Sequence, residues 1–137
     1  MNNDRFKFRV SVALNKSGEL LAQSVIGFIH YPDAYSIEQC TGLKDKNGRL
    51  IYEGDVLENT FSDGTKAQWF IVWNDEEMKF VKLNILWFKK EKLECGENFS
   101  MDRYIKVDSY GIKKETACIY EVIGNIHEAK WGIESER

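Results

Sequence analysis

The most restrictive feature of the sequence is the pentapeptide WFIVW at residues 69–73, which is apolar at every position. A second strand-like segment, KFVKL, follows at residues 79–83, and the intervening NDEEM favours a loop, which predicts an antiparallel hairpin. Alternate residues of a strand face opposite ways, so the two tryptophans cannot share a face with the phenylalanine and valine between them. Both faces are therefore apolar, and each must be covered by the N-terminal part of the chain, by another subunit or by a partner.

The rest of the sequence also indicates a β-rich chain. Aromatic residues make up 13% of it, with one proline and few alanines, which is unlike a helical bundle. Residues 6–12 alternate apolar and polar side chains with the period of two that a half-buried strand requires. Further strands are predicted at residues 19–23, 25–31 and 119–126, a continuation of the hairpin sheet at 84–88, and a short strand at 104–107. Residues 89–92 are predicted as a helical turn or a solvated loop, and residues 127–137 as a tail with one or two helical turns.

Two turn signals lie in the middle of the chain. Asn47 and Gly48 form the dipeptide best suited to the two positive-φ positions of a type I′ turn, so residues 43–52 are predicted to form a hairpin. Gly54 and Asp55 interrupt the chain again, and an aspartate in such a turn commonly accepts backbone N–H bonds. A paired-carboxylate site of Glu53 with Asp55 is the alternative to this structural role. The charged residues around the hairpin tip are expected to be exposed to solvent: Lys44, Asp45, Lys46 and Arg49.

The charge balance and the reactive residues argue against several classes of function. A net charge of −3 is unlike the basic balance of proteins that bind phosphate backbones without regard to sequence. Three cysteines and two histidines lack the short spacings of a metal site, and the sequence predicts no metal, no cofactor and no catalytic residue. No glycine-rich phosphate-binding motif is present, and no small-molecule substrate is indicated. No apolar segment approaches the length that spans a bilayer, so a cytoplasmic protein without membrane contact is expected.

Three motifs resemble the YopX family of small phage and prophage proteins: RFKFRV at residues 5–10, TGLKDKNGRLIYEGDVL at residues 41–57 and YEVIGNIHE at residues 120–128. The central motif is the most specific of the three. The resemblance implies a bacterial host cell, and a latter part of the chain, residues 51–126, that is similar to a small SH3-like barrel. It brings no established activity, cofactor or catalytic residue.

The expected fold is therefore mainly β, with an N-terminal β-hairpin lobe packed on a C-terminal SH3-like small β-barrel and little helix. The lobe and its connecting hairpin are expected at residues 1–50, and the barrel at residues 51–128. An irregular insertion is expected at residues 89–118 and a C-terminal tail at residues 129–137.

Two functional hypotheses follow, and neither is an enzyme. The first is a non-catalytic protein-interaction module whose partner is another protein or a second copy of the chain. Its predicted contact residues are four aromatic residues and two peripheral charges at the hairpin tip: Trp69, Trp73, Trp87, Phe88, Lys44 and Arg49. The alternative is a nucleic-acid-binding module that uses residues 79–92, where lysines interleave with aromatic residues. An edge strand protected by lysines gives the same pattern.

Overall fold

The structure is a computed structural model that describes residues 8–12 and 35–133, with side chains for residues 38–133. The described residues form two antiparallel sheets. The first has three strands in the order β1-β2-β3: β1 (Phe8–Val12), β2 (Tyr35–Lys44) and β3 (Leu50–Tyr52). The second has five strands in the order β7-β6-β5-β4-β8: β4 (Asp55–Thr60), β5 (Lys66–Asn74), β6 (Lys79–Asn84), β7 (Tyr110–Gly111) and β8 (Glu121–Asn125).

The helices are few and short, and most of them lie between β6 and β8. They are α1 (Ile85–Cys95), α2 (Met101–Asp108) and α3 (Lys114–Ala117), with 3-10 turns at Gly96–Asn98 and Ala129–Trp131. The second 3-10 turn agrees with the helical turn predicted for the C-terminal tail. The strands predicted at residues 19–23 and 25–31 lie outside the described residues.

The prediction of a mainly β fold is confirmed, but the SH3-like barrel and its lobe arrangement are not. Among the described strands no sheet closes on itself, because β7 and β8 are the two open edges of the five-stranded sheet. At one of these edges β7 has only two residues, which pair with Val81 and Lys82 of β6. The chain leaves the sheet directly after β6 and enters α1, so no long strand follows that could close a barrel.

The hairpin that the WFIVW segment predicts is present as β5 and β6, paired from Trp69 opposite Asn84 to Asn74 opposite Lys79. Phe70 and Ile71, neighbours on β5, are both buried but belong to different clusters on opposite faces of the sheet. Consecutive side chains of a strand point to opposite faces, so this division is the expected one. Both faces of β5 are therefore covered, as the sequence requires.

The first face of β5 is covered by the helices. Phe70 packs against Phe88 of α1 with the ring centroids 5.0 Å apart, and Phe88 packs against Tyr104 of α2 at 5.6 Å, both in edge-to-face geometry. The same cluster includes Val56 and Leu83 from the neighbouring strands. Edge-to-face aromatic pairs add roughly 0.5–1.5 kcal/mol each beyond the burial of their area. The helical segment is thus an integral part of the core.

The second face of β5 is covered by the β2–β3 hairpin and by α3. Ile71 and Leu57 lie in one cluster with Ile51 of β3, Ala117 of α3 and Tyr120. The cover for both faces therefore comes from this chain, and neither a second subunit nor a partner is needed to exclude water from β5.

Three predictions for residues 84–118 are wrong, because two side-chain caps start helices there. The Asn84 side chain accepts a hydrogen bond from the amide of Trp87 at 3.1 Å, so β6 ends and α1 begins where a continued strand was predicted. Ser100 accepts from the amide of Arg103 at 3.4 Å and begins α2, so the strand predicted at residues 104–107 is helical. The insertion at residues 89–118 is accordingly mostly helical and not irregular.

The hairpin predicted at residues 43–52 is present, but its turn is not type I′. The Gly48 amide donates to the Asp45 carbonyl at 3.0 Å, and the Asp45 amide donates to the Arg49 carbonyl at 2.8 Å. Gly48 has a φ of 79°, whereas Asn47 is not among the described residues with positive φ. This is a type I turn followed by a glycine bulge. Asp45 favours it because its Oδ1 accepts the amides of Asn47 and Arg49 at 2.9 and 2.8 Å.

Asp45 also fastens this hairpin to the five-stranded sheet. It is only 4% exposed, so the expectation that solvent covers every tip charge is wrong for this residue. Its Oδ2 accepts the amide of Val122 in β8 at 2.9 Å. The adjacent Lys46 donates its amide to the Tyr120 carbonyl at 2.8 Å and places its ammonium 3.3 Å from Glu121. A buried carboxylate is tolerated where hydrogen-bond donors surround it, and here those donors join two elements distant in sequence.

Three glycines with positive φ provide a test of the packing between the sheets. A Cβ on Gly54 would overlap the buried carboxylate of Glu38, whereas one on Gly48 or Gly64 would have nothing within 4 Å. We expect Gly54→Ala to lower the free energy of unfolding by about 3 kcal/mol or more, since positive φ and crowding both oppose it. The matched controls Gly48→Ala and Gly64→Ala should lose only about 1 kcal/mol. Urea unfolding of the three variants measures this, and equal losses would contradict the packing.

Tyr104 predicts a pH dependence of stability. Burial raises the pKa of Tyr104 to about 12, and the nearby carboxylates of Asp108 and Glu91 add to the effect. The pKa of an unfolded tyrosine is about 10, so the unfolded state loses this proton first. The stabilising contribution is therefore complete below pH 10 and is lost as the pH rises towards 12. Denaturant unfolding between pH 9 and 12 should show a steeper loss of stability for the wild type than for Tyr104→Phe. Identical slopes would show that Tyr104 is not held neutral by the core.

Candidate interaction surface

Trp69 is occupied by contacts within the chain. Its side chain is half-buried, and its Nε1 donates to the Asn59 carboxamide at 2.8 Å. The ring meets Tyr110 edge to face at a centroid distance of 5.9 Å, and the ammonium of Lys82 lies 5.1 Å from the ring centre. This ring therefore lies on the second face of β5 and is packed by contacts from within the chain.

The other predicted aromatic contacts differ sharply in their exposure. Trp73 is half-buried, donates from Nε1 to Asp75 at 2.7 Å and packs on Phe80 with the ring centroids 4.9 Å apart. Phe88 is 1% exposed and lies in the core, so its place among the contact residues is wrong. Trp87, next to it on α1, is 63% exposed. Residues 87 and 88 differ because a helix turns about 100° per residue, which carries one side chain inward and the next one outward.

Trp87 belongs to an exposed apolar surface on α1 that sequence reasoning missed. Leu86 is 77% exposed and Leu93 is 85% exposed, and with Lys90 they follow the helical spacing i, i+4, i+7. The ammonium of Lys90 lies 5.4 Å from the centre of the Trp87 ring. The inward side of the helix is already used by Ile85 and Phe88. We call the exposed set Leu86, Trp87, Lys90, Leu93 and Glu94 the outer face of α1.

The exposed charges of α1 are not ordered as the helix dipole favours. Its first turn contains no acidic residue. The exposed charges within the helix are Lys90 in the middle and Glu94 near the C-terminal end. Lys92 in the last turn is half-buried, with its ammonium 5.5 Å from the centre of the Phe88 ring. Acidic residues stabilise a helix at its N-terminus and basic residues at its C-terminus. The exposed charges of α1 are therefore not arranged to stabilise the helix by itself.

The hairpin-tip residues do not join this surface. Lys44 and Arg49 are exposed, but the hairpin that carries them covers the second face of the sheet, whereas α1 covers the first. The structure therefore places Trp87 and the hairpin tip on opposite sides of the five-stranded sheet.

The lysines proposed for nucleic-acid binding do not follow one groove. Lys79 and Lys82 lie an odd number of residues apart on β6 and so point to opposite faces. Lys79 pairs with Glu77 at 3.0 Å, and Lys82 lies over the rings of Trp69 and Tyr120. The remaining lysines of residues 79–92 are on α1, which leaves the sheet after β6.

The Glu53–Asp55 segment has the geometry of a turn. Gly54 has a φ of 84°, and the Asp55 carboxylate accepts the amide of Tyr52 at 2.8 Å. Burial raises the pKa of Glu53, and the neighbouring carboxylate of Glu38 acts in the same direction. Oε2 of Glu38 in turn lies 3.2 Å from Nε2 of His127. These groups lie where the two sheets meet, and Asp55 is not among the groups that shift the Glu53 carboxyl.

The part of the chain that the structure describes contains neither a cluster of metal ligands nor a membrane-spanning helix. Within it, no three histidine, cysteine, aspartate or glutamate side chains converge as metal ligands would. Nor does that part contain a helix with the length and apolar character needed to cross a membrane.

The fold and its surface define a small, mainly β protein with an apolar helix face exposed to solvent. The sequence model of the YopX protein family matches residues 15–130, which include the motifs at residues 41–57 and 120–128. The chain therefore belongs to the YopX family, and the predicted family is confirmed. A crystal structure of protein EF1440 from Enterococcus faecalis is similar, with 27% sequence identity and a TM-score of 0.42. The match covers 95% of this chain and 77% of that one. No curated protein matches the chain.

Proposed function

We propose that this YopX-family chain is a non-catalytic protein-interaction module whose contact surface is the outer face of α1. The observation that supports it is the exposure of Leu86, Trp87 and Leu93 on a helix whose inward side is already packed. In this proposal the protein is encoded by a phage or prophage and acts in the cytoplasm of a bacterial host. The proposal includes no cofactor, metal or catalytic residue.

The energetic support comes from the size of the exposed side chains. Burying one large apolar side chain stabilises a complex by about 1.5–3 kcal/mol, and three of them lie within two turns of α1. Tryptophan is also among the residues most enriched at the energetic centres of interfaces. The Lys90 ammonium lies over the Trp87 ring, and long cationic side chains commonly pack their aliphatic stems along apolar surface.

The choice of α1 replaces the surface that the sequence predicts at residues 69–73. Trp69 and Trp73 are used within the fold by ring contacts and by hydrogen bonds to Asn59 and Asp75. Of the four aromatic residues predicted to bind a partner, Trp87 is the one retained in the proposal. The scattered lysines of residues 79–92 give no specific support to the nucleic-acid alternative.

A capture experiment tests this proposal. Immobilised wild-type chain and the double variant Leu86→Glu/Leu93→Glu are exposed to a lysate of the natural host that also contains untagged chain. We expect the double variant to retain at least tenfold less protein than the wild type, because two charges replace apolar contacts at the centre of the surface. Phe61→Glu, at an exposed apolar residue outside α1, is the matched control and should retain the wild-type level. Circular dichroism verifies that each variant is folded. Retention that is unchanged by the α1 substitutions would exclude this surface.

A further inference from the structure

We propose that the partner of the outer face of α1 is a second copy of this chain, docked with the two α1 helices antiparallel. This inference rests on the proposed function and names the partner of the same surface. It starts from the order of the exposed charges on the outer face of α1, which is basic at Lys90 and acidic at Glu94. That order is unfavourable for one helix and favourable for a pair of opposed helices.

Antiparallel docking brings each exposed charge of α1 against its opposite. Lys90 of one helix lies beside Glu94 of the other, and a two-fold axis repeats the contact, as isologous interfaces require. The two helix dipoles are then also opposed, so each acidic C-terminal end meets the N-terminal end of the other helix. A parallel arrangement would instead set lysine against lysine and glutamate against glutamate.

The apolar residues of the outer face agree with the same arrangement. Leu86 and Leu93 flank Lys90 along one line of the helix surface with spacings of four and three residues, the spacing of a helix-packing seam. In an antiparallel pair, Leu93 of each copy lies beside the aliphatic stem of Lys90 of the other. Trp87 borders this seam, where it extends the apolar contact while Lys90 remains over its ring.

The size of the surface sets the strength of the dimer. The eleven residues of α1 span roughly 16 Å at about 1.5 Å per residue. Such a helix buries much less than the roughly 800 Å² per partner of a standard stable interface. The dimer is therefore weak and reversible, and it forms only as the protein concentration rises.

Charge reversal at two exposed positions tests the inference. In Lys90→Glu the outer face of α1 carries only acidic charge, and in Glu94→Lys it carries only basic charge, so each variant repels its own copy. We expect sedimentation equilibrium to show a concentration-dependent wild-type dimer and at least tenfold weaker self-association for each variant. An equimolar mixture of the two variants should associate at least as well as the wild type, because the reversed charges are complementary. Added salt should weaken that mixed dimer.

The controls are Lys113→Glu and Glu115→Lys, which make the same charge changes at exposed positions on and beside α3. Both should dimerise like the wild type. The inference is overturned if the wild type stays monomeric at millimolar concentration, or if the mixed variants associate no better than either alone. Should the wild type stay monomeric while Leu86→Glu/Leu93→Glu loses capture of a host protein, the proposed function survives with a different partner. If the α1 substitutions reduce neither self-association nor capture, both the dimer and the proposed function are excluded.

Discussion

The architecture depends on one constraint, which is that β5 is apolar on both of its faces. Exposed sheets of large apolar side chains are costly in water, so each face needs a covering layer. Phe70 and Ile71 meet this requirement on opposite faces, and each is almost fully buried. The helices α1 and α2 cover one face, while the β2–β3 hairpin and α3 cover the other. Because this chain supplies both layers, the surface left for a partner is the outside of a covering layer.

Asp45 holds the second of these layers in place. Its carboxylate accepts three backbone amides, two in its own turn and one in β8. The first two set the turn type, and the third joins the hairpin to an edge strand 77 positions further along the chain. The central sequence motif of the family thus has a structural role in this fold, since it builds the hairpin and fastens it to the sheet.

The sequence was sufficient to predict the strands and the need for cover, but not the elements that provide it. Period-two alternation identifies β1, and the apolar segments identify β5 and β6, because these patterns depend on the strand alone. Residues 85–88, Ile-Leu-Trp-Phe, favour a strand by propensity, and only the Asn84 cap signals a helix. The outer face of α1 was missed for the same reason, since a strand would place Leu86 and Phe88 together. The burial of Asp45 is not predictable from its neighbours in sequence, because its hydrogen-bond partner Val122 is 77 positions away.

Oxidative labelling of the four tryptophans, followed by mass spectrometry on the dilute monomer, tests most directly whether the chain covers β5 on both faces. The account predicts that Trp87 reacts several times faster than Trp69, Trp73 and Trp131, since it alone among them is exposed in the described structure. Reaction of Trp69 or Trp73 as fast as Trp87 would show that the second face of β5 is open to water, and equally fast reaction of Trp131 would show that the cluster on the first face is open. The covering layers, and with them the assignment of the contact surface to α1, would then be wrong.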